Sequence, residues 1–186
     1  MVLAVAMTLL AGCATYSPRQ GAQDIASPKF TVGDSWTFEN YQADAGGVNR
    51  TWVETVTGLL ANGAIIRRVD HVTGKAEDEA PTTEKVFVDS GMLNFPLYTG
   101  KRWNSAVVED DREVGMSSNL VEGQEEISTA AGTFATVRIL SEFTRGGKTY
   151  RQRIWYAPQA HMWARLAYLD SPQRTDLVTF SLKDPN

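Results

Sequence analysis

One stretch of this chain leaves little choice of fold. Thr133 to Arg145, then Gly146-Gly147, then Lys148 to Tyr156 reads as two β-strands around a two-residue turn. Both arms are rich in Val, Ile, Thr and aromatic residues, and two adjacent glycines supply the positive φ that such a turn demands. With the glycines as the turn, Phe143 falls opposite Tyr150, Ile139 opposite Ile154 and Val137 opposite Tyr156. One face of the hairpin is then almost wholly apolar and belongs to a core. The other face sets Glu142 opposite Arg151, a favourable pair, and carries Arg138, Leu140 and Thr144 against Trp155, Arg153 and Thr149. Trp155 is thereby expected outside the main core.

Similar short runs, each closed by Gly, Asn, Asp or Pro, occupy much of the remaining chain. Ser35 to Tyr41, Arg50 to Thr57, Ala64 to Val72 and Glu84 to Val88 form a first group, with Asn62-Gly63 as a favoured hairpin turn. Met162 to Leu169 and Thr175 to Leu182 follow the long hairpin, separated by Asp170-Ser171-Pro172-Gln173. Asp89 to Arg102, broken by Gly91, Pro96 and Gly100, reads as loop and turn, and Glu109 to Glu113 as a polar hairpin tip. Helical periodicity is nearly absent. The expected class is all-β: an antiparallel meander forming a curved sheet, a half-barrel or a closed barrel, with few or no helices.

A chain of 186 residues with 42% hydrophobic and 22% charged residues is long enough to bury one core without a metal or disulfide staple. The net charge of -4 argues against a phosphate-binding surface, so nucleic acid is not an expected partner. A single cysteine, Cys13, excludes an internal disulfide, and two histidines, His71 and His161, permit no zinc cluster of the usual spacing. No cofactor and no metal site is expected.

Val2 to Leu10 is an almost unbroken apolar run, long enough for the central region of a signal peptide and too short to cross a bilayer of about 30 Å as a helix. It ends in Leu10-Ala11-Gly12-Cys13, which resembles the lipobox of bacterial lipoproteins, although no Lys or Arg precedes the run. That resemblance implies that residues 1–12 are a signal peptide, that Cys13 carries the lipid, and that several acyl chains hold it lastingly on a membrane. Ala14 is not the Asp that commonly retains such proteins at the inner membrane, so the resemblance points to the periplasmic face of the outer membrane. Residues 13–28, with Pro18, Gly21 and Pro28, read as a lipidated start and flexible tether, and 29–186 as the β-rich periplasmic domain.

Motifs with chemical meaning are few. Gly33-Asp34-Ser35 resembles the nucleophile block of an esterase family, and an envelope ester hydrolase using Ser35 is the alternative reading. The base that such chemistry requires would come from an Asp-x-x-His, and neither His71 nor His161 has an Asp three residues before it. Glu77-Asp78-Glu79 and Glu109-Asp110-Asp111 lack the ligand spacing of a calcium loop and read as solvated turns. Asp70-His71 is a lone pair without a partner at ligand spacing. Trp36, Trp52, Trp103, Trp155 and Trp163 are candidates to line a groove for an apolar ligand, and equally candidates to fill the core.

Several blocks together resemble a family of bacterial periplasmic proteins and lipoproteins, the TapB-like domain of unknown function. They are Phe30 to Phe38, Phe95 to Trp103, Val121 to Glu125, Ala131-Gly132-Thr133-Phe134 and Trp155-Tyr156-Ala157-Pro158. Where such proteins usually place a glycine shortly after the last block, this chain has Gln159-Ala160-His161-Met162. The resemblance implies a β-rich envelope domain and supplies no catalytic residues. The expectation is a non-catalytic envelope lipoprotein, held to the membrane by its lipid and binding an apolar ligand or an envelope protein, with a purely structural envelope component as a further alternative. The sequence carries no signal of oligomeric state.

Overall fold

The computed structural model describes residues 24–42, 47–61, 63–72, 82–88, 91–109 and 112–184. The leader, the lipobox and Cys13 lie outside these residues, as do Asn62, Glu77-Asp78-Glu79 and Asp110-Asp111.

Ten strands succeed one another: β1 (Ser35–Gln42), β2 (Gly47–Leu60), β3 (Gly63–Val72), β4 (Thr82–Val88), β5 (Arg102–Glu109), β6 (Arg112–Thr129), β7 (Gly132–Arg145), β8 (Lys148–Ala157), β9 (Met162–Tyr168) and β10 (Gln173–Ser181). They form one antiparallel sheet in the order β4-β3-β2-β1-β10-β9-β8-β7-β6-β5. The sheet is not closed. Every ladder but one joins strands consecutive in the chain, and the exception, β1 on β10, brings the two ends of the domain together in the middle of the sheet. The edges are therefore β4 and β5, joined by residues 89–101.

The long hairpin forms in the register read from its side-chain pattern, with Phe143 opposite Tyr150, Ile139 opposite Ile154 and Val137 opposite Tyr156. Gly146 and Gly147 both have positive φ, at 55° and 74°, as a turn between two tightly coupled strands requires. Two details differ from expectation. The inward face is interrupted by Ser141 opposite Gln152, both buried. Arg151 stands opposite Glu142 but turns its guanidinium to Asp170, at 2.6 Å. Between β2 and β3 Leu60 pairs with Gly63, so Gly63 opens β3 and is not part of the turn as the Asn62-Gly63 reading has it.

The largest departure is in the middle of the chain, where β5 and the 18-residue β6 were not legible as strands. In β6 the inward positions Ser117 and Asn119 are polar while the outward positions Met116 and Leu120 are apolar, so the alternation that reveals a half-buried strand is missing or reversed there. Their polar groups bond to one another instead: Ser105 and Ser117 share a hydrogen bond of 2.7 Å, and Asn119 Nδ2 donates to Ser117 Oγ at 3.1 Å.

The connection between the two edges plugs the concave side. Leu93 and Leu97 are 2% and 0% exposed and belong to the same core as Trp36, Phe38, Ile139, Ile154 and Tyr156. Ile25, upstream of the first strand, is tied to this plug by a pair of backbone hydrogen bonds with Leu97, at 2.9 and 2.8 Å. Lys101 donates to the Pro96 carbonyl at 2.9 Å, and also to that of Asn94. Each buried leucine withdraws about 1.5–3 kcal/mol worth of apolar surface from water, so the plug is part of the core.

Candidate functional site

The inward positions of β1, β2, β3 and β10 change character along the strands. At one end lie Trp36, Phe38, Trp52, Val56, Ala64, Ile66 and Leu177, all buried. Two residues further on each strand, the same face carries Asn40, Arg50, Arg68, Asp70 and Thr175. A β-strand alternates sides, so these polar groups share the concave face with the core and form its open end.

The apolar end is packed. Phe38 stacks on Trp163 with ring centres 4.1 Å apart and on Trp52 at 5.4 Å. Trp36 meets Phe30 edge-on at 5.9 Å and donates its indole N–H to the Ala160 carbonyl at 2.6 Å. Trp52 and Trp163 are thus brought together around Phe38, and Trp36 belongs to the same core. Trp103 stands on the β5 edge, half-buried, donating to the Gly91 carbonyl at 3.0 Å. Trp155 projects from the outward face of β8 and donates to the Glu125 carboxylate. The five tryptophans do not line one groove, and Trp52 is the member that bridges the packed end and the open one.

At the open end Asp70, 3% exposed, is held by two arginines. Arg68 donates to Oδ1 through Nε at 2.9 Å and Nη2 at 2.8 Å; Arg50 donates to Oδ1 through Nε at 3.0 Å and approaches Oδ2 through Nη2 at 2.7 Å. Burial pushes the Asp70 carboxyl up, but the hydrogen bonds from Arg68 and Arg50 outweigh it and leave the group below its ordinary value. The Arg68 guanidinium also lies over the Trp52 ring, 4.1 Å from its centre. On the other side of Trp52, Glu54 is buried and takes Lys85 Nζ at 2.6 Å and Trp52 Nε1 at 3.2 Å. Asn40 donates to Thr175 Oγ1 at 2.8 Å and accepts from Gln173 at 3.4 Å.

Asn40, Arg50, Trp52, Arg68 and Gln173 line a cleft of about 360 Å³. Gln173 also lines a second, larger cleft of about 620 Å³ between the β7–β8 turn and the β9–β10 connection. There Phe143 stacks on Tyr150 at 5.3 Å, beside Tyr168, Arg145 and Lys148. Burial pushes the Tyr168 hydroxyl up, so it remains a donor throughout the neutral range. The two clefts meet at Gln173 and make the rim of the open end.

The nucleophile reading of Ser35 finds its residues used elsewhere. Gly33 takes φ 95° in a turn, and Asp34, 1% exposed, accepts the Thr31 N–H at 2.8 Å on one oxygen and the Lys183 N–H at 2.7 Å on the other. The carboxylate fastens the start of β1 to the C-terminal segment. Among the described residues no hydrogen bond joins Ser35 to His71 or His161. His71 lies on β3 opposite Thr51. His161 lies in the segment Gln159-Ala160-His161-Met162, where the resemblance expects a glycine, and its φ of 57° is the left-handed conformation that a glycine would adopt freely. Among the described residues no three His, Cys, Asp or Glu side chains converge as a metal site.

Of the rim residues, Arg50, Arg68, Tyr150 and Tyr168 were not singled out from the sequence as binding residues, and Asp70 was weighed only beside His71. A signal for Arg50, Arg68 and Asp70 does exist: Arg50-x-Trp52-x-Glu54 and Arg68-x-Asp70 place charges at period two on strands whose alternate partners are the core face.

No family model matches the chain, and no curated protein does. Solved structures do show the fold. A chain from Bacteroides fragilis described as an exported protein with a YmcC-like fold aligns over 86% of this chain and 100% of its own, with a TM-score of 0.53 and 13% identity. A chain from Parabacteroides distasonis described as a lipoprotein aligns over the same shares, with a TM-score of 0.50 and 13% identity. The class this defines is an open, ten-stranded antiparallel sheet similar to the YmcC-like fold.

Proposed function

We propose that this chain is a non-catalytic binding module of the bacterial cell envelope, lipidated at Cys13 and held at the outer membrane facing the periplasm. The observation that carries the binding half is the shape of the open end. A packed core closes one end of the concave face, and the rim left outside it holds a cleft of about 620 Å³, within the usual range of ligand pockets. Phe143, Tyr150 and Tyr168 offer that cleft apolar and aromatic surface, with Gln173 and the Tyr168 hydroxyl as polar fixtures. The site suits an apolar group, brought either by a small ligand or by a side chain of an envelope protein.

The lipobox resemblance, the likeness to the TapB-like domain and the descriptions of the two structural neighbours support the envelope half. Since Ile25 is already fastened to the domain, the segment from Cys13 to Ile25 spans at most about 40 Å when fully extended. Ile25 is thereby kept within that distance of the bilayer.

Two measurements test this reading. Cells grown with a radiolabelled fatty acid are expected to label the protein, and Cys13→Ala to abolish the label; an unlabelled wild-type protein overturns the anchor. Native mass spectrometry of the extracted protein is expected to show a retained ligand, or cross-linking in cells through a photoreactive residue at Tyr150 a discrete envelope partner. Either signal should be lost in Tyr150→Ala with Tyr168→Ala. A wild-type protein with neither signal overturns the binding site.

A further inference from the structure

We infer that Arg50 and Arg68 form an anion subsite at the rim, one that takes a carboxylate or phosphate group of a small ligand. This deepens the binding reading above and rests on it. Two guanidinium groups converge on one carboxylate, Asp70, and leave one unit of positive charge unmatched in the cluster. Asp70 is 3% exposed and bonded to both arginines, so it stays ionised and fixes each guanidinium plane in place. Among the described residues Asp70 engages Nε and Nη2 of both arginines, and Nη1 of each has no partner. A guanidinium whose plane is already locked binds a second oxyanion at small entropic cost, and its fork matches the geometry of carboxylate and phosphate.

The surroundings point the same way. The pair borders a cleft of about 360 Å³ whose other polar lining includes the neutral amides Asn40 and Gln173. Trp52 lies beneath Arg68 and walls the cleft off from the core. Beyond Gln173 the adjoining cleft carries Arg145, Lys148 and Arg151. The excess charge of the Arg50–Arg68–Asp70 cluster thus stands at the mouth of a cleft in a protein whose net charge is -4. A locally positive mouth on an acidic molecule steers and holds anions.

The test uses the full lipidated chain in neutral detergent, titrated calorimetrically with inorganic phosphate and separately with acetate. Saturable binding of at least one is expected, weakening as sodium chloride is raised. Arg50→Gln is the decisive variant, because Arg68 still pairs with Asp70 and the fold is kept while the unmatched charge disappears. It should weaken binding at least tenfold, whereas Arg50→Lys should recover part of the loss. Absence of saturable binding for both probes overturns the inference, as does equal affinity in Arg50→Gln whose thermal unfolding matches the wild type. Tyr150→Ala with Tyr168→Ala, which removes the apolar half of the rim, should leave the phosphate and acetate titrations unchanged. Loss of the apolar ligand with no anion binding in the parent chain would sink this inference and leave the proposed function standing.

Discussion

Leu97→Ala is the sharpest test of how the concave face is filled. Leu97 is fully buried, and it sits on the connection between the two sheet edges rather than on a strand. Its backbone hydrogen bonds to Ile25 do not involve the side chain and survive the substitution. Removing three carbons at about 0.8 kcal/mol each costs roughly 2.4 kcal/mol of transfer free energy. A residual cavity of roughly 50 Å³ adds about 1.2 kcal/mol at about 24 cal/mol per Å³. The sum, about 3.6 kcal/mol, lowers the melting temperature of a chain this size by roughly 7–14 °C. Urea unfolding followed by tryptophan fluorescence reads the change directly, because Trp36, Trp52 and Trp163 share the core with Leu97. Leu169→Ala is the control, since Leu169 is 39% exposed and should cost less than about 0.5 kcal/mol. A loss below about 1 kcal/mol in Leu97→Ala would refute the view that the connection is an integral plug, and would mean that the concavity opens readily to a ligand.

Three further outcomes follow from the same geometry. Gly115→Ala should lower the urea midpoint, because a methyl group there meets the Thr144 carbonyl oxygen at 2.1 Å and forces β6 from β7 at a cost of about 1–3 kcal/mol; an unchanged midpoint contradicts the close approach. His161→Gly should stabilise the protein by about 0.5–1 kcal/mol in the same assay, since the left-handed conformation strains a residue with a Cβ; a destabilised variant would show that the imidazole does more than occupy the turn. The Asp70 carboxyl lies below its ordinary value, so its charged form contributes stability in full above about pH 4 and loses it as the pH falls through the lowered folded value. Asp70→Asn should therefore be less stable at pH 7 and close the gap to the wild type in acid, and a gap independent of pH would refute the role of the two arginines.

How much of this was legible beforehand depended on whether a residue's neighbours in space were also its neighbours in pattern. The long hairpin gave its register to the residue, because Gly146-Gly147 fixes the turn and a slip by one position would send Ile139 and Ile154 to solvent. The strands β1 to β3 were visible for the same reason. β6 was not, because Ser117 and Asn119 hydrogen-bond to Ser105 across the ladder in β5 rather than making apolar contact, and nothing local announces such a partner. The Gly33-Asp34-Ser35 block was visible as letters, but its use was hidden until the C-terminal Lys183 came to lie against Asp34.

Alternation, turn chemistry and composition thus determined by themselves that the chain is an all-β antiparallel meander with one core. They left open whether the sheet closes, and the tertiary structure decided that it does not, with β1 joined to β10 and β4 and β5 left as edges. They also left Arg50, Arg68 and Asp70 as three scattered charges on two strands. Strand pairing sets Asp70 opposite Trp52, two residues beyond Arg50, and so builds the rim cluster. The reason is physical: period two tells which side of a strand a residue faces, but which residue stands across from it is fixed only when the whole sheet has been assembled.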